Sequence, residues 1–125
     1  MKQTHLPGRQ AQPLPDDVLE LQQLAFRYFL DHTNANSGLV ADNTRADSHC
    51  SIAGTGLGLS CLPVAVSNDW LKRADAAERA LTALRFFEHS PQGPELDATG
   101  YKGFYYHFLD EGRPSCRRVR AFDAG

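Results

Sequence analysis

Cysteine is scarce in this chain: Cys50, Cys61 and Cys116 are the only three in 125 residues. An odd count without a C-x-x-C pair excludes a disulfide framework, and Cys50 and Cys61 stand outside the short spacing of zinc ligands. His49 and His107 do not complete a ligand set, so neither a metal nor a cofactor is expected. Free thiols in a domain not built on disulfides fit a reducing compartment. Long apolar runs are absent too. No stretch reaches the roughly 18 apolar residues of a membrane span, and the first fifteen residues lack the apolar centre of a secretory signal. Excess charge is also missing. A net charge of -2 with 22% charged residues gives no field that would draw nucleic acid or a membrane surface.

The charge is nevertheless uneven. Residues 1–112 hold 9 Lys/Arg against 14 Asp/Glu, while Arg113, Arg117, Arg118 and Arg120 crowd the last thirteen residues. Without interleaved aromatics or a helical pattern, residues 113–125 read as a disordered tail rather than a nucleic-acid arm. Residues 1–15, MKQTHLPGRQAQPLP, are proline-rich and read as a disordered leader. The length between them suits one modest domain.

Three helices are expected within it. Asp16 and Asp17, after Pro15, can cap the first, with Glu20 at capping-box distance from Asp17. Val18, Leu21, Leu24, Ala25, Tyr28 and Phe29 then keep helical spacing to about His32. A polar loop, TNANSGLVADNTRADSHC, follows. The second helix, SIAGTGLGLSCLPVAVS, is apolar or small all round, which marks it as buried. Ser51 is its N-cap, and Pro63 should bend or end it. Gly54, Gly56 and Gly58 each cost about 1 kcal/mol against alanine, so a close neighbour should offset them. The run lacks the spacing and the lysine of a phosphate loop. The third helix starts near Arg73, offers Ala77, Ala80, Leu81, Leu84 and Phe87 as its apolar stripe, and stops at Ser90-Pro91. Trp70 before it reads as a packing plug.

The stretch Gly100-Tyr101-Lys102-Gly103-Phe104-Tyr105-Tyr106-His107-Phe108-Leu109-Asp110 concentrates aromatics, which favours an extended strand. Alternation would place Tyr101, Tyr105, His107 and Leu109 on one face and Lys102, Phe104, Tyr106, Phe108 and Asp110 on the other. Rings mixed with hydrogen-bonding tips suit a sugar, with its flat apolar face and hydroxyl rim. The same composition also suits a core strand with its polar tips satisfied internally. In the preceding loop, Glu95 and Asp97 are candidate acids, though the reading as solvated loop carboxylates is preferred.

GYKGFYYHFLD resembles a signature of the bacterial glucoamylase-like domain family, which includes endo-β-1,2-glucanases. The chain is similar to that family also at Ser37–Asp42, at Ser51–Leu59 and at Ala76–Phe87, in matching order, over about residues 16–112. The resemblance implies a mainly α fold: a fragment of an (α/α)6 toroid with about three helices and one short β-strand or hairpin. Twelve barrel helices of about 11 residues cannot fit this length. Asp42, Tyr101, Lys102, His107 and Asp110 are the implied substrate-binding residues. Asn43 stands where the family has arginine after the aspartate, and Lys72 where it has a Ser or Thr cap. Members of the family are often exported.

Glycoside hydrolysis generally needs two carboxyl groups, roughly 5 to 9.5 Å apart, and after Asp110 the family's acidic segment does not follow. The ending reads as a shifted frame or an interrupted gene. The expected function is that of a truncated glucoamylase-like glycoside hydrolase acting on a β-1,2-glucan-like substrate and inactive alone. Its partner would be an oligo- or polysaccharide, with self-association through exposed apolar faces. A non-catalytic carbohydrate-binding or interaction module is the alternative, and a remnant that misfolds is a third.

Overall fold

The computed structural model describes residues 13–110 together with the backbone of 117–118. Most of the expected leader and tail lie outside the described residues. Three helices pack in sequence, α1 (Asp16–Asp31) on α2 (Ile52–Ser67) and α2 on α3 (Arg73–His89). Two small antiparallel sheets flank them. One is ordered β1 (Cys50–Ser51), β4 (Phe108–Asp110), β5 (Arg117–Arg118), and the other pairs β2 (Gly100–Tyr101) with β3 (Phe104–Tyr105). No described helix is long and apolar enough to cross a membrane.

The helix limits follow from local chemistry. Pro15, not Asp17, occupies the N-cap of α1, and its carbonyl accepts the amides of Val18 and Leu19. Asp16 and Asp17 lie in the first turn instead, where negative charge meets the positive end of the helix dipole. Ser51 caps α2 as its residue type demands, its Oγ accepting the Gly54 amide at 3.0 Å. Lys72, at the cap of α3, makes no such bond. α2 runs through Pro63 to Ser67. Proline removes one hydrogen bond, but packing on both sides of the helix axis retains the rest.

The buried faces differ from the periodic stripes. In α1 the core residue is Phe26 at 4% exposure, while Val18, Leu21 and Leu24 stand 42%, 66% and 52% exposed. In α3 the buried positions are Ala76 and Ala83, whereas Leu81 and Leu84 are exposed. α2 buries Thr55, Gly58, Leu62 and Ala65 and leaves Leu57 in the open. Each helix thus carries a second apolar stripe beyond the one in use. A helix read by period alone reports its widest apolar arc, and neighbours decide which part is covered.

Two clusters hold the described core. Phe26, Leu62, Ala65 and Ala76 form one, with Trp70 packed against it and tilted over Phe26 at 6.0 Å between ring centres. Leu39, Cys50 and Leu109 form the other, against Ile52, Phe86, Phe87 and Tyr106. Small residues set the closest approaches. At Gly58 a Cβ would stand 3.1 Å from Phe29 and Val40, so this glycine has the close neighbour its cost required, but Gly56 faces open space among the described residues. Gly38 has φ +72 and lies against the backbone of Ala83 on α3.

Candidate functional site

The aromatic stretch is not one strand. Lys102 and Gly103 both have positive φ, 51° and 85°, the pattern of a two-residue type I′ hairpin turn. The chain reverses there, and Tyr101 pairs with Phe104 and Gly100 with Tyr105. The single alternation expected across 101–109 is therefore replaced by a hairpin followed by a separate strand, β4. Phe104, expected opposite Tyr101, is its cross-strand partner.

β4 enters the other sheet. Ala41 bridges Cys50, Cys50 pairs with Leu109, and Leu109 pairs with Arg118. One register step along, the Asp42 amide donates to the His49 carbonyl at 2.8 Å, Asp110 pairs with Arg117, and continuing the Cys50–Leu109 register by one residue sets His49 beside Asp110. Asp42, His49, Asp110 and Arg117 thus occupy one cross-strand row. Adjacent strands lie about 4.8 Å apart, which separates the backbones of Asp42 and Asp110 by about 10 Å, with His49 between them. Asp42 and His49 are exposed, whereas Cys50 and Leu109 in the neighbouring row are buried.

The row is held from both sides. Tyr28 on α1 donates its hydroxyl to the Ala41 carbonyl at 2.6 Å, which fixes the strand carrying Asp42. Burial, followed by the charges of Asp42 and Cys50, raises the Tyr28 pKa above its ordinary value, because each disfavours a phenolate there. On the far side, the Thr55 hydroxyl accepts the Val40 amide at 3.0 Å and donates to Ser51 at 2.9 Å. His107 precedes β4. Its carbonyl accepts the Ile52 amide at 3.1 Å, and its exposed ring stands edge-on to Phe108 at 4.4 Å.

Of the residues nominated from sequence, Asp42 and Asp110 come together in one sheet, with His107 at its end. Tyr101 and Lys102 lie on the other sheet, at the tip of the β2–β3 hairpin, with the Lys102 Nζ 5.2 Å from the Tyr101 ring centre. His49 was missed: it stands just before β1, which is two residues long, so no alternation could reveal it. A polar groove of about 410 Å³ between the end of α1, the 33–38 loop and α3 contains none of the nominated residues. Asp75, Glu78 and Arg79 lie along it. Among the described residues no group of three His, Cys, Asp or Glu is arranged to hold a metal.

No family model matches this sequence, and no curated protein is similar enough to count as a relative. Solved structures do match. A candidate glucoamylase from Bacteroides uniformis superposes with TM-score 0.61 and 26% identity, over 80% of this chain and 24% of its own. A second candidate glucoamylase, from Bacteroides fragilis, gives 0.60 and 22% over 83% and 25%. An endo-β-1,2-glucanase from Chitinophaga pinensis, solved with sophorotriose and glucose, gives 0.58 and 20% over 78% and 24%. The chain spans about a quarter of the length of these structures, and in fold it is a fragment of a glucoamylase-like helical toroid.

Proposed function

We propose that this chain is the carbohydrate-recognition part of a glucoamylase-like glycoside hydrolase, directed at a β-1,2-glucan-like substrate and inactive by itself. The observation that carries the reading is the cross-strand row that sets Asp42 and Asp110 on either side of His49. Acidic side chains hydrogen-bond sugar hydroxyls, and an imidazole can donate or accept beside them. Glycoside hydrolysis needs two carboxyl groups about 5 to 9.5 Å apart, and Asp42 and Asp110 are the two acids that this row brings to one end of the sheet. Such a pair still needs correctly placed carboxyl groups with distinct proton affinities, and the remaining three-quarters of the toroid would have to supply or adjust them. His107, Tyr101 and Lys102 extend the polar contacts along the aromatic stretch.

The test is calorimetric titration of the purified chain with sophorotriose and with maltotriose, together with a reducing-sugar assay on β-1,2-glucan. Binding of sophorotriose without hydrolysis, lost in Asp42→Asn and His49→Ala, supports the reading. Hydrolysis by the chain alone would refute the claim of inactivity, and indifference to both sugars would refute recognition. The alternative is an interaction module, favoured by the uncovered stripes at Leu21, Leu57 and Leu84, which would drive self-association.

A further inference from the structure

The β2–β3 hairpin is anchored firmly at its base, and its tip is exposed among the described residues. At the base, Ala98, Thr99 and Gly100 are buried. The Gly93 amide donates to the Gly100 carbonyl, and the Tyr106 amide to the Thr99 carbonyl, both at 3.0 Å. The Tyr105 hydroxyl reaches the Phe87 carbonyl at 2.9 Å, and the two rings meet edge-to-face at 4.7 Å. At the tip, Phe104 is 79% exposed and Tyr101 44%. As cross-strand partners, they put two rings on one face of the hairpin, their Cβ atoms about 5.5 Å apart.

Leaving a phenyl ring in water on a rigid element forgoes the burial that aromatic side chains ordinarily gain. The exposed leucines of the helices lie in apolar stripes of the kind that cover one another. The hairpin tip differs, because its rings are interleaved with Lys102, Gly103 and the Tyr101 hydroxyl, and the Gln92 side chain accepts the Gly103 amide at 3.3 Å. That mixture matches a ligand that is apolar on one face and hydroxylated at its edge.

We propose that Phe104 and Tyr101 form a stacking platform for a pyranose ring, with Lys102 and the Tyr101 hydroxyl meeting its hydroxyl groups. The platform is separate from the Asp42–His49–Asp110 row and rests on the carbohydrate reading above. It assigns a binding role to Phe104, which was not among the nominated substrate-binding residues.

The test introduces a reporter into the full chain. Phe104→Trp keeps a stacking ring and adds an indole beside the native Trp70, so the difference from wild type isolates the tip. Titration with sophorotriose should shift the added emission to the blue with saturation. Phe104→Ala should weaken binding about tenfold, the scale of a buried aromatic contact, with an unchanged thermal midpoint, and Phe104→Trp should restore affinity. If Phe104→Ala binds like wild type while Asp42→Asn loses the sugar, the platform is overturned and the carbohydrate reading stands. If the wild-type chain binds neither sophorotriose nor maltotriose, both fall.

Discussion

Gly38→Ala should be among the most damaging single-methyl additions in this chain. The residue has φ +72, and a Cβ built there would stand 2.5 Å from the Ala83 nitrogen, 2.7 Å from its Cα and 2.8 Å from its Cβ. Two costs add. A left-handed backbone costs a non-glycine residue about 1 to 2 kcal/mol. Overpacking against a helix backbone that cannot rotate away costs about 1 to 3 kcal/mol more. The sum is about 3 kcal/mol, which at about 4 to 8 °C per kcal/mol for a small domain lowers the thermal midpoint by roughly 12 to 24 °C. Thermal unfolding followed by circular dichroism at 222 nm reads the midpoint, and urea unfolding reads the free energy of a two-state transition. Gly56→Ala is the control, since a Cβ there meets nothing within 4 Å. It should stabilise the chain by up to about 1 kcal/mol through helix propensity. If both variants shift the midpoint in the same direction, or Gly38→Ala changes stability by less than about 0.5 kcal/mol, the 33–38 loop does not lie against α3 as described.

Ser51→Ala should cost about 1 kcal/mol by removing the cap on the Gly54 amide, read as a lower urea midpoint with unchanged m. Lys72→Ser should raise stability by about 1 kcal/mol, because α3 begins at an extended residue without a side-chain cap, and only a serine that bonds the first-turn amides would show the gain. Tyr28→Phe removes the bond to the Ala41 carbonyl and should cost about 1 kcal/mol at neutral pH. It should also change the alkaline limb. The folded Tyr28 pKa is raised, so the folded state keeps a proton that the unfolded chain releases. The stability this contributes is complete below the unfolded value near 10 and is lost as pH rises through the folded value. Denaturation midpoints measured from pH 9 upward should therefore fall more steeply in wild type than in Tyr28→Phe, and parallel slopes would exclude the assignment.

Most of the helical frame was legible locally. Ser51, whose hydroxyl accepts a first-turn amide, and the Ser90-Pro91 break mark α2 and α3 because capping and proline sterics act within a few residues. The capping box at Asp17 misled, since Pro15 two residues earlier already fixes the backbone that starts the helix. The signal for the hairpin was also present. Gly103 after Lys102 is a turn dipeptide, but five aromatics in eleven residues pointed to an unbroken strand.

The sequence by itself determined three helices with caps and breaks, and the aromatic character of residues 100–110, because these depend on neighbours within about one turn. It also carried the motifs whose resemblance named a toroid fragment, which the solved structures match. Tertiary structure alone decided which apolar stripe each helix buries, since Phe26 and Ala83 are covered only by what packs beside them. It alone set Asp42, His49 and Asp110 in one row. That row joins three segments separated by as many as 68 residues, and a register of that kind is fixed by cross-strand hydrogen bonds, which no local period encodes.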